Sequence, residues 1–266
     1  MIVGQGWGIE ANLATIKAWS EVRLAFEPRA EMVAYRAALR EALRRLEPIA
    51  GTGLRATYSA PSDEFVDVEN VLLYNVGQGS YSHLAAHGLY LRKQRSPDVR
   101  HHVEYTVAPL PELTAQSRLL ATINTELAVV PHTPGEWWSL LRPQVQAIEH
   151  SYGGRFALDV RLYGQWTGPG IASAMKPLLD GLISALHSHD ESGRSELCER
   201  FAPLRDDASW NALCAPDPVL GPVRRLVRPH SVNVAWNPAD DLCDELRIIP
   251  VAAPKHTLQA RILAVD

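Results

Sequence analysis

The chain has 266 residues, 46% of them hydrophobic and 21% charged, an ordinary globular composition that supports a sizeable core in one large domain or two smaller ones. A formal net charge of -4 gives no global field to draw the protein onto nucleic acid or an anionic membrane, so such partners would need a local basic face. No apolar run approaches the roughly 18 residues that span a bilayer.

The start, MIVGQGWGIEANL, lacks a basic stretch followed by an apolar one, so no signal peptide is expected. Val22–Phe26 reads as a strand, stopped by Pro28. From Ala30 to Leu46, the residues Met32, Tyr35, Leu39, Leu43 and Leu46 recur at helical spacing, and Pro48, Gly51 and Gly53 end the helix. LRATYS (54–59) alternates like a strand, and SDEF (62–65) offers Ser62 or Asp63 as a helix cap. VENVLLYNVG (68–77) is apolar enough to be buried, as a strand or as a helical turn. HGLYLRKQ (87–94) and HHVEYTVAP (101–109) read as a hairpin turning at Ser96-Pro97-Asp98. A helix is expected over Leu113–Glu126.

The second part repeats the pattern. PGEWWSLLRPQVQAIEH (134–150) is helical with a break at Pro143, and Phe156, Leu158, Val160 and Leu162 alternate in a half-buried strand. TGPG (167–170) reads as a loop. A helix from Pro177 to Leu186 follows, with Pro177 at the first helical position, where its missing N–H costs little. Residues 191–230 are a polar excursion with one short helix. VNVAW, the turn NPADDLCD and ELRIIPV then make strand, turn and strand. Helix, strand, loop and buried segment thus occur at 30–77 and again at 135–187. The expectation is an α+β fold with a mainly antiparallel sheet, three or four packing helices and two similar halves, 1–130 and 131–266, sharing a cleft where a ligand could sit.

Several groups of residues could carry chemistry. Arg36, Arg40 and Arg44 follow one another at helical spacing and would suit an anionic partner, as would the basic run PVRRLVRP (222–229) if it shared a face with them. His187 and His189 with Asp190 lack the further ligands a zinc site needs, so they are expected to cap a helix C-terminus in solvent and no metal is assigned. The acids Asp240, Asp241, Asp244 and Glu245 lack the spacing of a calcium loop and read as a solvated turn. GQGWG (4–8) lacks the order of a dinucleotide fingerprint. Cys198, Cys214 and Cys243 form no pairing pattern, which points to a reducing, cytoplasmic setting.

VDVENVLLYN (66–75) and KPLLDGLISAL (176–186) resemble the Pro-Asp-x-Asp-Asn-φ-φ-Lys pattern of RusA-type Holliday-junction resolvases. Asp67, Glu69 and Asn70 match the acidic triplet, and Leu73 stands where the lysine belongs. In the second stretch Asp180 matches one acid, Leu178 and Gly181 replace the others, and Ser184 replaces the lysine. The resemblance implies carboxylates that bind magnesium beside a scissile phosphate and a lysine that holds the phosphate.

Two functions follow. The first is an accessory protein without a cofactor that binds another protein through arginine faces and exposed tryptophans, while Trp137, Trp138, Trp210 and Trp236 read as core or interface residues. The alternative is a magnesium-dependent nucleic-acid hydrolase of degenerate RusA type, or its inactive descendant, using Asp67, Glu69, Asn70, Asp180 and Asp190. Convergence of Asp67, Glu69, Asp180 and Asp190 in one cleft separates the two.

Overall fold

Alternating apolar residues define most of the strands of one large sheet. A computed structural model describes residues 1–61, 66–113 and 118–265. The first strands are β1 (Ile2–Gly4), β2 (Trp7–Ala11) and β3 (Thr15–Ser20). Helix α1 (Ala30–Arg44) lays Met32, Tyr35, Leu39 and Leu43 into the core, as their spacing predicts. In β4 (Gly53–Ala60), Leu54, Ala56 and Tyr58 point inward. A π-helical turn (Asn70–Tyr74) and the short α2 (Ser82–Ala85) lead to β5 (Leu89–Arg95) and β6 (His101–Ala108).

The chain continues through β7 (Leu119–Glu126), α3 (Pro134–Leu141), β8 (Val145–Ala147) and β9 (Phe156–Tyr163). Then come α4 (Gly168–Ala185), α5 (Arg194–Arg200) and α6 (Asp207–Leu213). The strands β10 (Val227–His230) and β11 (Asn233–Trp236) pair only with each other. The last two strands, β12 (Cys243–Val251) and β13 (Thr257–Ala264), return to the large sheet.

That sheet has 11 strands in the order β1-β2-β3-β6-β4-β5-β12-β9-β13-β7-β8. Its pairs are mostly antiparallel, but β4 with β5 and β9 with β12 run parallel, so the sheet is mixed. Each parallel pair needs a crossover, which strand patterns alone do not reveal. The set β3, β4, β5, β6 and the set β7, β9, β12, β13 share one order and one pattern of directions. They meet where β5 pairs antiparallel with β12. β7 belongs to the second set, pairing with β13.

Several local expectations are corrected. Residues 22–26 form a loop, and the strand is Thr15–Ser20 just before it. The segment expected as a helix at 113–126 ends in a strand, β7, because Ile123 and the buried Ala121 feed a sheet that β13 completes. β5 and β6 form no hairpin, since β4 lies between them. β12 likewise pairs with β5 and β9, not with β11. TGPG is the start of α4, with Thr167 Oγ1 accepting from the Gly170 N–H at 3.1 Å. Pro177 therefore lies inside that helix. The excursion holds two short α-helices, α5 and α6. The expected cap at 62–65 lies outside the described residues.

Helices α3 and α4 pack closely because Gly181 presents no side chain: a Cβ there would stand 2.7 Å from the Pro134 carbonyl oxygen and against Trp137. Trp137 and Trp138 are wholly buried at this contact and Trp210 nearly so, while Trp236 is half-buried against Trp138. They are core aromatics rather than exposed binding residues.

Candidate functional site

The β5–β12 junction brings together two segments far apart in sequence. Asp67 and Glu69 lead into the π-helical turn, a wider winding that is frequent at functional sites. Asp240 opens a short 3-10 turn before β12. Lys176 and Asp180 lie one turn apart on α4, on the same helix face.

The Lys176 ammonium sits at the centre. It lies 2.9 Å from Glu69, 2.7 Å from Asp180, 3.3 Å from Asp240 and 3.9 Å from Asp67. Asn70 Nδ2 donates to Asp67 Oδ2 and turns that carboxylate toward the group. Four carboxylates thus surround one ammonium, leaving the cluster with excess negative charge in a partly buried place. Burial pushes the Glu69 and Asp180 carboxyls above the usual range, against the pull of Lys176. Asp240 is pushed up to about 8, by burial first, with Glu69 and Asp67 adding to the rise. Burial alone would lower the lysine, but Glu69, Asp180 and Asp240 outweigh it and hold the ammonium above its ordinary value.

Oxygen atoms of Asp67, Glu69 and Asp240 lie within 4.8 Å of one another. Two oxygens on opposite sides of a bound magnesium or calcium ion stand roughly 4–5 Å apart, twice the usual metal–oxygen distance. An all-oxygen donor set favours such hard cations over zinc or copper. The three carboxylates could hold such a cation if the Lys176 ammonium, which now lies among them, moved aside.

Two further side chains hold this geometry. Lys93 is 8% exposed, and its ammonium donates to the Val66 carbonyl at 3.2 Å and to the Asp241 carbonyl. It also meets Asp244 at 3.5 Å, a carboxylate that Arg155 holds at 2.6 Å. Lys93 thus ties the residue before Asp67 to the residue after Asp240. His187 Nε2 accepts the Ala239 N–H at 3.2 Å and fixes the turn from its other end. Burial, then Arg224, lowers its imidazole to about 4.

Asp190 does not join the group. Its Oδ1 accepts from the Ser192 backbone N–H at 3.2 Å and hydroxyl at 2.5 Å, a local turn. His187 and His189 are buried rather than solvated at a helix end, and the Val227 N–H reaches His189 Nδ1 at 3.4 Å. The arginine row is also spent internally. Arg36 donates to the Phe26 carbonyl at 2.8 Å, Arg40 to the Val76 carbonyl, and Arg44 lies 3.8 Å from Glu41. The acidic turn is no free hairpin, since Asp240 and Asp244 are engaged as above.

Lys176, Asp240 and Lys93 were not legible as site residues. The equivalent strands β4 and β9 each lead into a segment that supplies the cluster, Asp67 and Glu69 after β4 and Lys176 after β9.

A cleft of about 470 Å³ opens beside the cluster, lined by Arg23, Phe26, Asp67, Asn70, Tyr74 and Lys176 among others. Comparison of the chain with models of known families, with curated proteins and with solved structures finds no match.

Proposed function

We propose that the chain is a divalent-metal-dependent hydrolase of phosphodiester bonds in nucleic acid, similar in its acidic pattern to the RusA-type resolvases. The observation that carries this reading is the convergence of Asp67 and Glu69 with Lys176 and Asp240 beside an open cleft. One set of strands leads into the acids that match the pattern, and the other leads into Lys176 and Asp240. The accessory reading needs exposed tryptophans and an available arginine face, but Trp137, Trp138 and Trp210 are buried and Arg36 and Arg40 donate to backbone carbonyls, so the weight moves to the cluster.

Asp67, Glu69 and Asp240 would hold the cation. Bound there, it would polarise a phosphate oxygen and make water a better nucleophile near neutral pH. Glu69 and Asp240, which retain protons more strongly than ordinary carboxyls, would release them as the cation enters. Lys176 would then face the phosphate and offset the charge that develops on it. Asp180, paired to Lys176 along the helix, would keep the ammonium aimed at the cleft.

Purified protein should cut branched or single-stranded DNA or RNA with magnesium or manganese, and lose that activity with a chelator. Asp67→Asn and Glu69→Gln should each reduce the rate by at least a hundredfold, since each removes a charged ligand. No cutting of any of these substrates with either ion, together with no change of melting temperature on adding the ion, would overturn the reading.

A further inference from the structure

The cleft wall carries two aromatic rings that no core requirement explains. Phe26 is 57% exposed and Tyr74 is 37% exposed. Their rings stack with centroids 5.2 Å apart and planes 15° from parallel. Phe26 lies on the loop after β3, and Tyr74 ends the π-helical turn that carries Asn70. Tyr74 and Asn70 are four residues apart on that turn and both line the cleft.

The backbone fixes the pair in place. Arg36 Nη1 donates to the Phe26 carbonyl at 2.8 Å. Two residues earlier Leu24 is buried, and its carbonyl accepts from Asn75 Nδ2 at 2.9 Å, next to Tyr74. The loop and the turn are therefore tied to each other, which holds together the two segments that carry the rings. An exposed and pre-ordered aromatic surface beside a phosphate-handling group is what a nucleic-acid base stacks upon. A base in a continuous duplex is already stacked on both faces and cannot use it, while an unpaired base can.

We infer that Phe26 and Tyr74 form a stacking platform for an unpaired base adjacent to the phosphate held at the carboxylates. The inference rests on the hydrolase reading and deepens it, because it sets the substrate class: single strands, bulges or branch points rather than continuous duplex. Arg23, on the same wall, adds a cationic residue to the path of the backbone. Sequence specificity is not expected, since every base offers a π face.

The test compares binding of a short oligothymidylate with binding of a base-free strand of the same length and charge, in calcium. The protein is the full chain and its Phe26→Ala, Tyr74→Ala and Tyr74→Phe variants. Wild type should bind the thymidylate about five- to a hundredfold more tightly than the base-free strand. Phe26→Ala and Tyr74→Ala should remove most of that difference by weakening only the thymidylate complex, and Tyr74→Phe should keep it. Both residues are exposed, and equal melting temperatures will show that the variants fold. Equal weakening on both strands, or no weakening, overturns the platform. If wild type cuts nucleic acid and both alanine variants cut single strands at its rate, the platform alone falls. If wild type neither binds nor cuts any nucleic acid, both readings fall.

Discussion

Replacing Lys176 with methionine separates a structural ion pair from a charge-balancing centre. The substitution keeps the length of the side chain and removes the one ammonium among Glu69, Asp180, Asp240 and Asp67. Lys176 is 22% exposed and Glu69 5%, so solvent screens this group far less than a surface pair. Breaking a buried pair by removing one partner costs about 3–5 kcal/mol. For a chain of this size, that corresponds to a fall in Tm of roughly 6–20 °C at about 2–4 °C per kcal/mol. The loss should depend on pH. Glu69, Asp180 and Asp240 have raised pKa values, so at low pH they hold protons and miss the lysine less. The variant should therefore be most damaged near pH 8 and less damaged near pH 5, where Asp240 holds its proton. Magnesium should stabilise the variant by about 2.7 kcal/mol at a hundredfold excess over its Kd. Thermal melting at both pH values, with magnesium and with chelator, measures all of this. A variant within about half a kcal/mol of wild type, indifferent to pH and to magnesium, would refute the account of the cluster.

Wild type without metal should show opposed pH effects. The raised carboxyls bind more protons folded than unfolded, so they erode stability as pH climbs from about 4 toward 8. The His187 imidazole, lowered to about 4, binds fewer protons folded, so its contribution is intact above about 6.5 and is lost as pH falls to 4. The two effects oppose each other between about pH 4 and 6.5, so chemical denaturation should show stability falling most clearly above about 6.5, and magnesium should reduce that fall. Lys93→Met should weaken magnesium binding at least tenfold while barely altering β5, because its ammonium joins the two segments that carry the ligands. Calorimetric titration reads that directly, and unchanged affinity would mean the segments hold themselves. Gly181→Ala should cost about 1–3 kcal/mol in denaturant unfolding, since the new methyl meets the Pro134 carbonyl and Trp137.

How much of this was legible in the sequence depends on the range of the forces involved. Local spacing located α1 through Met32, Tyr35, Leu39 and Leu43, and β4, β5, β6 and β9 through their alternation. Strand pairing was not local. The β4–β5 and β9–β12 parallel pairs depend on crossovers whose direction leaves no periodic mark, so a hairpin was expected where β4 intervenes. β13 was overlooked, although Leu258, Ala260 and Ile262 alternate in it. Asp67, Glu69 and Asn70 were legible because they stand together in a pattern. Asp240 and Lys176 were not, since their role exists only when α4 and the 3-10 turn approach the first acids. Asp190 looks equivalent to them in composition, yet it turns to Ser192 and His189 instead of the cluster.

The matching order of the two strand sets has a consequence for stoichiometry. A frame with matching halves has room for two identical centres, one in each set. Here Asp67 and Glu69 follow a strand of the first set, while Lys176, Asp180 and Asp240 come from the second, so a single cluster draws on both. A fragment ending between β6 and β7 would carry two acids without their lysine. Under the proposed hydrolase reading, one molecule would load a single ion and nick a single strand per visit, and a ligand with twofold symmetry would have to be turned over to be cut twice.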